Sequence, residues 1–160
     1  MVNVLLLEDD PNYREIIERV IRRNYSYAIT PVATEMQAWK ELSKEDFDLV
    51  LLDLNIDGRR CWETLKRAVS LPGKPVAIVF SCEDTRGNAD HAASLGAYTF
   101  LSKPFNFVRL KMTIDSALGA KNVAAPEKPP VASAEGGTDL TDPGAPTVLV
   151  VGRERKDRVP

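Results

Sequence analysis

Short apolar runs alternate with longer amphipathic stretches along the first 118 residues of this 160-residue chain. Five of the runs have the length and aliphatic character of β-strands, which average about five to six residues. These predicted strands cover residues 3–7, 28–32, 49–52, 77–80 and 99–101. Strands that alternate with helices are typical of a parallel sheet, and the first and third runs are almost continuously aliphatic. We therefore expect helices to cover both faces of the sheet.

Five helices are predicted from apolar residues that recur at helical spacing. Pro11 stands where the first turn of a helix tolerates proline, and Thr34 can cap the second helix. Pro72 and Gly73 end the third helix, and Gly119 is the predicted stop of the fifth. The apolar positions of the five helices are, in order, Tyr13, Ile16, Ile17, Val20 and Ile21; Met36, Ala38, Trp39 and Leu42; Trp62, Leu65, Ala68 and Val69; Ala89, Ala92, Ala93 and Leu95; and Val108, Met112, Ile114, Ala117 and Leu118. The fourth helix has the least to bury, so we expect it to be the loosest.

The composition changes abruptly after the fifth predicted helix. Residues 120–146 contain five of the eleven prolines and no aromatic residue. A segment with so little to bury does not fold alone, so we predict one domain over residues 1–119 and a linker rich in Pro, Gly and Ala over residues 120–146. Residues 147–160 begin with one more strand-like apolar run. We interpret them as the start of a second element or of a truncated domain, with docking on the sheet edge or on another subunit as the alternative.

Charge and the length of the apolar runs argue against binding of nucleic acid and against a membrane span. The formal net charge is −2 and no basic stripe dominates a segment, so we expect no direct nucleic-acid binding here. No apolar run approaches the roughly 20 residues of a membrane span. Because the first predicted strand begins at Asn3, we also expect no signal peptide.

The cysteines and the single histidine do not form a cluster with metal-ligand spacing. They are Cys61, Cys82 and His91. We therefore expect no disulfide framework and no structural zinc site, and a reducing cytoplasm as the location. Cys82 is predicted to be a small buried residue, and Cys61 to lie at the start of a helix.

Polar side chains follow the predicted strands where they end. Glu8 and Asp9 follow the first strand, Asp53 the third and Lys103 the fifth. Because the carboxyl ends of parallel strands meet at one edge of a sheet, we expect these side chains to converge. Clustered carboxylates demand a cation or a raised pKa, and an oxygen-only ligand set favours Mg²⁺. Lys103 suits an anionic oxygen, and Ser81, after the fourth strand, adds a hydroxyl donor, so the set can surround a phosphoryl group on the aspartate.

The chain resembles the receiver domain of bacterial two-component response regulators over about residues 2–118. The resemblance rests on VLLLEDDP at residues 4–11, DLVLLDL at residues 48–54, Ser81, and GAYTFLSKPF at residues 96–105. It implies a flavodoxin-like, doubly wound α/β fold of (βα)5 type, with a five-stranded parallel sheet in the order 2-1-3-4-5.

The same resemblance implies roles for the residues at the strand ends. Asp53 would be the phosphoacceptor and Lys103 would contact the phosphoryl group. Mg²⁺ would be the cofactor, held by Glu8, Asp9, Asp53 and the backbone carbonyl of Asn55.

A signalling function follows from the resemblance, with autocatalytic phosphorylation and dephosphorylation as its only chemistry. The phosphoryl group would come from a sensor histidine kinase or a phosphotransfer protein. Ser81 and Phe100 match the switch hydroxyl and the switch aromatic, and the fourth helix, fifth strand and fifth helix would form the face for output and for a homodimer. Asn55 and Glu83 match positions that tune dephosphorylation, and they imply a relatively short-lived phosphoform.

Two alternatives and one departure from the family remain. A degenerate receiver that serves as a constitutive docking module would need a broken site, yet all five expected positions are filled. A Mg²⁺-dependent phosphatase with an aspartyl nucleophile would need a second acid where this chain has Asn55.

Asp57 and Cys61 replace the common proline and glycine of the family, and the run Gly58-Arg59-Arg60 makes this loop basic. No helix-turn-helix, nucleotide-cyclase or ATPase motif is present in residues 119–160, so the sequence does not name an output.

Overall fold

The structure, a computed structural model, describes residues 1–83 and 86–122. The predicted linker from residue 123 onward and the predicted strand-like segment over residues 147–160 lie outside the described residues. Within the described part of the chain, no helix is both long enough and apolar enough to cross a membrane.

Five parallel strands form one sheet, and a small hairpin lies beside it. The strands are β1 (Asn3–Leu7), β2 (Ala28–Val32), β3 (Leu49–Asp53), β4 (Asn55–Ile56), β5 (Arg59–Arg60), β6 (Val76–Ser81) and β7 (Thr99–Ser102). The order in the sheet is β2-β1-β3-β6-β7, while β4 and β5 form the antiparallel hairpin. Since β6 and β7 are the fourth and fifth strands of the sheet, the predicted order 2-1-3-4-5 and the flavodoxin-like fold are confirmed.

Five helices connect and follow the strands. They are α1 (Pro11–Asn24), α2 (Glu35–Leu42), α3 (Trp62–Ser70), α4 (Arg86–Ser94) and α5 (Phe107–Asn122). The predicted cap of α2 is present, because Thr34 Oγ1 accepts from the backbone N–H of Gln37 and the Gln37 side chain bonds back to the Thr34 N–H. At α1, the carboxylate of Asp10 accepts from two N–H groups of the first turn, and Pro11 follows it.

Alternate residues of the strands point to opposite faces of the sheet, and helices cover both faces as predicted. On one face, side chains such as Leu7, Leu52 and Val79 pack in one core cluster with residues of α2, α3 and α4. On the other face, Leu51 and Phe80 pack with residues of α1 and α5. Full burial of such a side chain stabilises the fold by about 1.5–3 kcal/mol. The two cores hold the strand ends in fixed positions.

The predicted stop of the last helix at Gly119 is wrong. Helix α5 continues to Asn122, and an added Cβ at Gly119 would meet no atom within 4 Å. A helical glycine costs only about 1 kcal/mol relative to alanine, which a long packed helix tolerates. The predicted boundary at residue 119 therefore falls within a helix.

Val108 and Met112 lie in α5 as expected but face solvent, with 68% and 64% of their surface exposed.

The predicted burial of Cys82 is also wrong. Strand β6 ends at Ser81, so Cys82 lies on the loop that follows and is exposed. Cys61 is buried and immediately precedes α3, as its predicted place at a helix start requires.

The two thiols should therefore differ in reactivity. Burial, assisted by the nearby Glu35 carboxylate, raises the pKa of the Cys61 thiol to about 12, so little reactive thiolate forms there at neutral pH. We expect one fast-reacting thiol with Ellman's reagent in the folded protein, its loss in Cys82→Ser, and a second reactive thiol only after unfolding. Two thiols that react at the same rate in the folded protein would contradict this assignment.

Candidate functional site

Three carboxylates meet at the carboxyl edge of the sheet because β1 and β3 are neighbours. Leu7 and Leu52 are partners in the parallel register, so the residues after them lie side by side. One carboxylate oxygen from each of Glu8, Asp9 and Asp53 lies within 4.8 Å of the others. Glu8 and Asp53 are buried and Asp9 is half-buried. The expected convergence of these strand ends is present.

Lys103 brings a positive charge to this cluster from the end of β7. Its Nζ lies 2.6 Å from Glu8 Oε2 and 2.6 Å from Asp53 Oδ2, and its side chain is 8% exposed. The rings of Tyr13 and Phe80 lie 4.3 Å and 5.2 Å from the ammonium, close enough for cation–π attraction. The lysine is thus held by charge and by aromatic faces at once. The peptide bond that follows it, before Pro104, is cis.

The charges at the site do not balance. Burial raises the pKa of the Glu8 carboxyl to about 7, although the hydrogen bond from Lys103 opposes that rise. Burial would lower the pKa of Lys103, but its bonds to Asp53 and Glu8 outweigh burial and raise it. The lysine therefore keeps its charge, and the surroundings of the carboxylates favour a further cation.

Asp53 has a hydrogen-bond donor on each oxygen. Lys103 binds Oδ2, and the backbone N–H of Asn55 donates to Oδ1 at 2.8 Å. Ser81 is buried at the end of β6, where its Oγ accepts from the Glu83 N–H at 3.1 Å and from the Asn55 side-chain amide at 3.4 Å. Since the serine oxygen accepts both bonds, its proton can be donated to a new acceptor.

The basic loop after Asp53 forms the hairpin of β4 and β5, which was not predicted from the sequence. Asp57 and Gly58 both have positive φ angles, 49° and 71°, as the central residues of a type I′ turn require. The backbone N–H of Asp57 donates to Asp9 Oδ2 at 3.0 Å, so the hairpin fixes the half-buried carboxylate. The Asp-Gly dipeptide was the signal that could have revealed it.

Arg14 is a second contributor that the sequence reasoning missed. Its Nη1 donates to the backbone carbonyl of Glu8 at 2.6 Å and to that of Asp9 at 3.3 Å. The arginine thus fixes the backbone that carries two of the carboxylates. An arginine in the first turn of a helix carries no sequence signal for this contact.

Two of the sequence-predicted residues have their side-chain contacts outside the carboxylate cluster. Phe100 is buried in the core cluster shared with α2, α3 and α4. Glu83 is exposed, and the Arg60 guanidinium binds its carboxylate. The rings of His91 and Trp62 pack edge to face, and Trp39 Nε1 donates to Thr64 Oγ1 at 2.8 Å.

The donor set fits a hard divalent cation. All side-chain donors are carboxylate oxygens, and Asn55 is the second residue after Asp53, so its backbone carbonyl can complete the set. Oxygen ligands without nitrogen or sulfur are what Mg²⁺ prefers.

Removal of the lysine charge should destabilise the protein strongly when Mg²⁺ is absent. For Lys103→Met we expect the free energy of unfolding to fall by about 3–5 kcal/mol, because buried carboxylates lose their counter-charge. Lys111→Met is the matched control, since its pair with Asp115 is 43% and 45% exposed and such pairs contribute at most about 1 kcal/mol. Urea unfolding measures both, and equal losses would contradict the bridging role.

Solved structures share this fold. A signal receiver domain of a DNA-binding response regulator (merR) from Colwellia psychrerythraea 34H has a TM-score of 0.69 at 24% identity, over 74% of this chain and 99% of that chain. A CheY-like response regulator receiver domain protein from Methanospirillum hungatei JF-1 has a TM-score of 0.71 at 20% identity, over 76% of this chain and 97% of that chain. At these identities the likeness shows the fold alone.

Curated relatives are longer proteins. The transcriptional regulatory protein ZraR of Klebsiella oxytoca is 32% identical over 120 residues, which cover 73% of this chain and 26% of that protein. The transcriptional activator protein PfeR of Pseudomonas aeruginosa is 30% identical over 118 residues, which cover 72% of this chain and 37% of that protein. The matched part of this chain spans only about a quarter to a third of these relatives.

A match to a family model shows which protein family the chain belongs to. The model of the response regulator receiver domain matches residues 4–115, well over half of the chain. The matched span contains all of β1 except its first residue, β2 to β7, and every carboxylate of the cluster described above. The chain therefore belongs to the response regulator receiver domain family.

Proposed function

We propose that Asp53 accepts a phosphoryl group from the phosphohistidine of a sensor histidine kinase or of a phosphotransfer protein. The observation that carries the proposal is the environment of this carboxylate. It is buried, Lys103 and the Asn55 N–H bind its two oxygens, and two further carboxylates adjoin it. Such an aspartate is positioned as a nucleophile beside a fixed positive charge.

The proposed step is a phosphoryl transfer. An Asp53 carboxylate oxygen forms a bond to phosphorus, the bond between phosphorus and the donor imidazole nitrogen breaks, and that nitrogen keeps the electron pair and takes up a proton. Lys103 neutralises charge on the transferred group, and the Ser81 hydroxyl can donate to it afterwards. Glu8, Asp9, Asp53 and the Asn55 carbonyl would hold Mg²⁺, which when bound supplies further positive charge to the phosphoryl oxygens.

The phosphoryl group would then act as a switch. It adds about −1.5 to −2 charge next to Ser81, which draws the hydroxyl toward it. We propose that Phe100 packs inward behind this movement and that the change is transmitted to the face formed by α4, β7 and α5. Of the residues of α4, only Asn88 and Ala92 are buried, which suits an element with two arrangements.

The same face could bind a partner or a second copy of the chain. Val108 and Met112 of α5 are largely exposed, and they line a cavity of about 390 Å³ together with Tyr98 and Thr99. Exposed apolar side chains next to a cavity are typical of interaction surfaces. They support the proposal of homodimerisation through this face.

The output would lie outside the described residues. ZraR and PfeR, by their names, regulate transcription, and this chain spans a minor part of either protein. We propose that this receiver controls such an output from the bacterial cytoplasm, and that any DNA contact is made by another segment or protein.

Phosphorylation should be detectable by intact mass. We expect a single phosphoryl adduct after incubation with acetyl phosphate and Mg²⁺, and none after addition of EDTA or in Asp53→Asn, which preserves the shape of the side chain. Absence of the adduct from the wild-type protein would contradict the proposal and favour a constitutive docking module.

The phosphoform should be relatively short-lived. Asn55 and Glu83 both donate to Ser81 Oγ, and the Asn55 N–H also binds Asp53. An amide and an acid at these positions can orient an attacking water. We expect decay well within hours after the donor is removed in the presence of Mg²⁺, measured as loss of the adduct. Persistence for many hours under these conditions would refute the tuning role of these two residues.

A further inference from the structure

Arg60 ties together three segments beside the carboxylate cluster. Its guanidinium donates to the Glu83 carboxylate and to the side-chain oxygen of Asn88. The Asn88 side-chain amide in turn donates to the backbone carbonyl of Glu83 at 3.1 Å. The hairpin strand β5, the residues after β6 and helix α4 are thereby joined through one arginine.

This network adjoins Asp53. Arg60 and Asn55 are partners in the register of the hairpin, and the Asn55 N–H binds Asp53 Oδ1. Asn55 and Glu83 both donate to the oxygen of Ser81. The contacts among Asn55, Ser81, Glu83 and Arg60 therefore close a ring next to Asp53, which we call the rim of the site.

The electrostatic problem at this rim is a fourth carboxylate. Glu8, Asp9 and Asp53 already face a single ammonium, and Glu83 comes only two residues after the buried Ser81. An anionic phosphoryl donor that approaches Asp53 would be repelled by another negative charge at the rim of the site. With its carboxylate on Arg60, Glu83 is instead part of a neutral pair.

Stability alone does not account for the arrangement. The Arg60 and Glu83 side chains are 41% and 51% exposed, and ion pairs as exposed as this contribute little to folding. The geometry does, however, need an arginine, because one guanidinium binds both the carboxylate and the Asn88 amide oxygen. The single ammonium of a lysine lacks that planar fork.

We propose that Arg60 is a positioning residue that holds the Glu83 carboxylate in place at the rim of the site, so that an anionic phosphoryl donor reaches Asp53 without meeting a fourth unpaired carboxylate. This inference rests on the proposed function of Asp53 as phosphoacceptor. Arg60 forms no bond to the transferred group, and it acts through Glu83.

The test measures the rate at which acetyl phosphate and Mg²⁺ form the phosphoryl adduct. In that reaction an Asp53 oxygen bonds to phosphorus, the bond from phosphorus to the acetyl oxygen breaks, and acetate leaves with the electron pair. For Arg60→Gln at low ionic strength we expect a decrease of about threefold to tenfold, which shrinks at high salt. Arg59→Gln removes the same charge from the same hairpin, and we expect it to change the rate by less than about twofold.

A double-mutant cycle separates action through Glu83 from direct action. In a Glu83→Gln background, Arg60→Gln should change the rate by less than about twofold, as at Arg59, because the direct effect of losing one nearby charge remains but no carboxylate is released from its place. Arg60→Lys keeps the charge without the fork and should give an intermediate rate. It also provides a measurement if the glutamine variant does not fold.

Each contrary outcome has a distinct meaning. An equal decrease on Arg60→Gln in both backgrounds would overturn the inference, as would an unchanged rate or equal effects at Arg59 and Arg60. In those cases the phosphoryl adduct still forms on the wild-type protein, so the proposed function stands. If the wild-type protein forms no adduct at all, the proposed function and this inference both fail.

Discussion

The Lys103 ammonium lies between the buried carboxylates of Glu8 and Asp53, 2.6 Å from each, and the rest of the site depends on that contact. Without it, negative charges would be buried beside one another, which costs several kcal/mol. The contact is possible because the strands are parallel, so that the carboxyl ends of β1, β3 and β7 lie along the same edge of the sheet. The two hydrophobic cores hold those ends in place, so packing determines the spacing of the charges.

A single ammonium leaves the cluster short of positive charge, and the other features of the site follow from that shortage. The raised pKa of Glu8 reflects it, since burial favours the neutral acid there despite the lysine. The hairpin after β3 holds two carboxylates that Lys103 does not bind, because the Asp57 N–H binds Asp9 and Arg60 binds Glu83. The edge of the sheet is therefore prepared for an added cation and for an anionic group on Asp53.

Patterns of local sequence predicted most of this arrangement. The aliphatic runs located all five strands of the sheet, and the polar residues after them located the carboxylates, because parallel strands share an edge. The hairpin was missed although Asp57 and Gly58 favour its turn. The two arginines after them indicated only a basic loop, because so short a charged run does not have the apolar pattern of a strand. The two partners of Arg60 lie 23 and 28 residues away, and such contacts depend on tertiary structure. Gly119 shows the reverse error, in which a local stop signal was outweighed by a long packed helix.

The central claim, that Asp53 carries the phosphoryl group, can be tested by chemical localisation. Borohydride reduces an aspartyl phosphate to homoserine, which peptide mass spectrometry detects at a defined position. After treatment with acetyl phosphate and Mg²⁺ followed by borohydride, homoserine is expected at position 53 and at no other aspartate. Modification at Asp9 or at another carboxylate in place of Asp53, or no modification at all, would contradict the account.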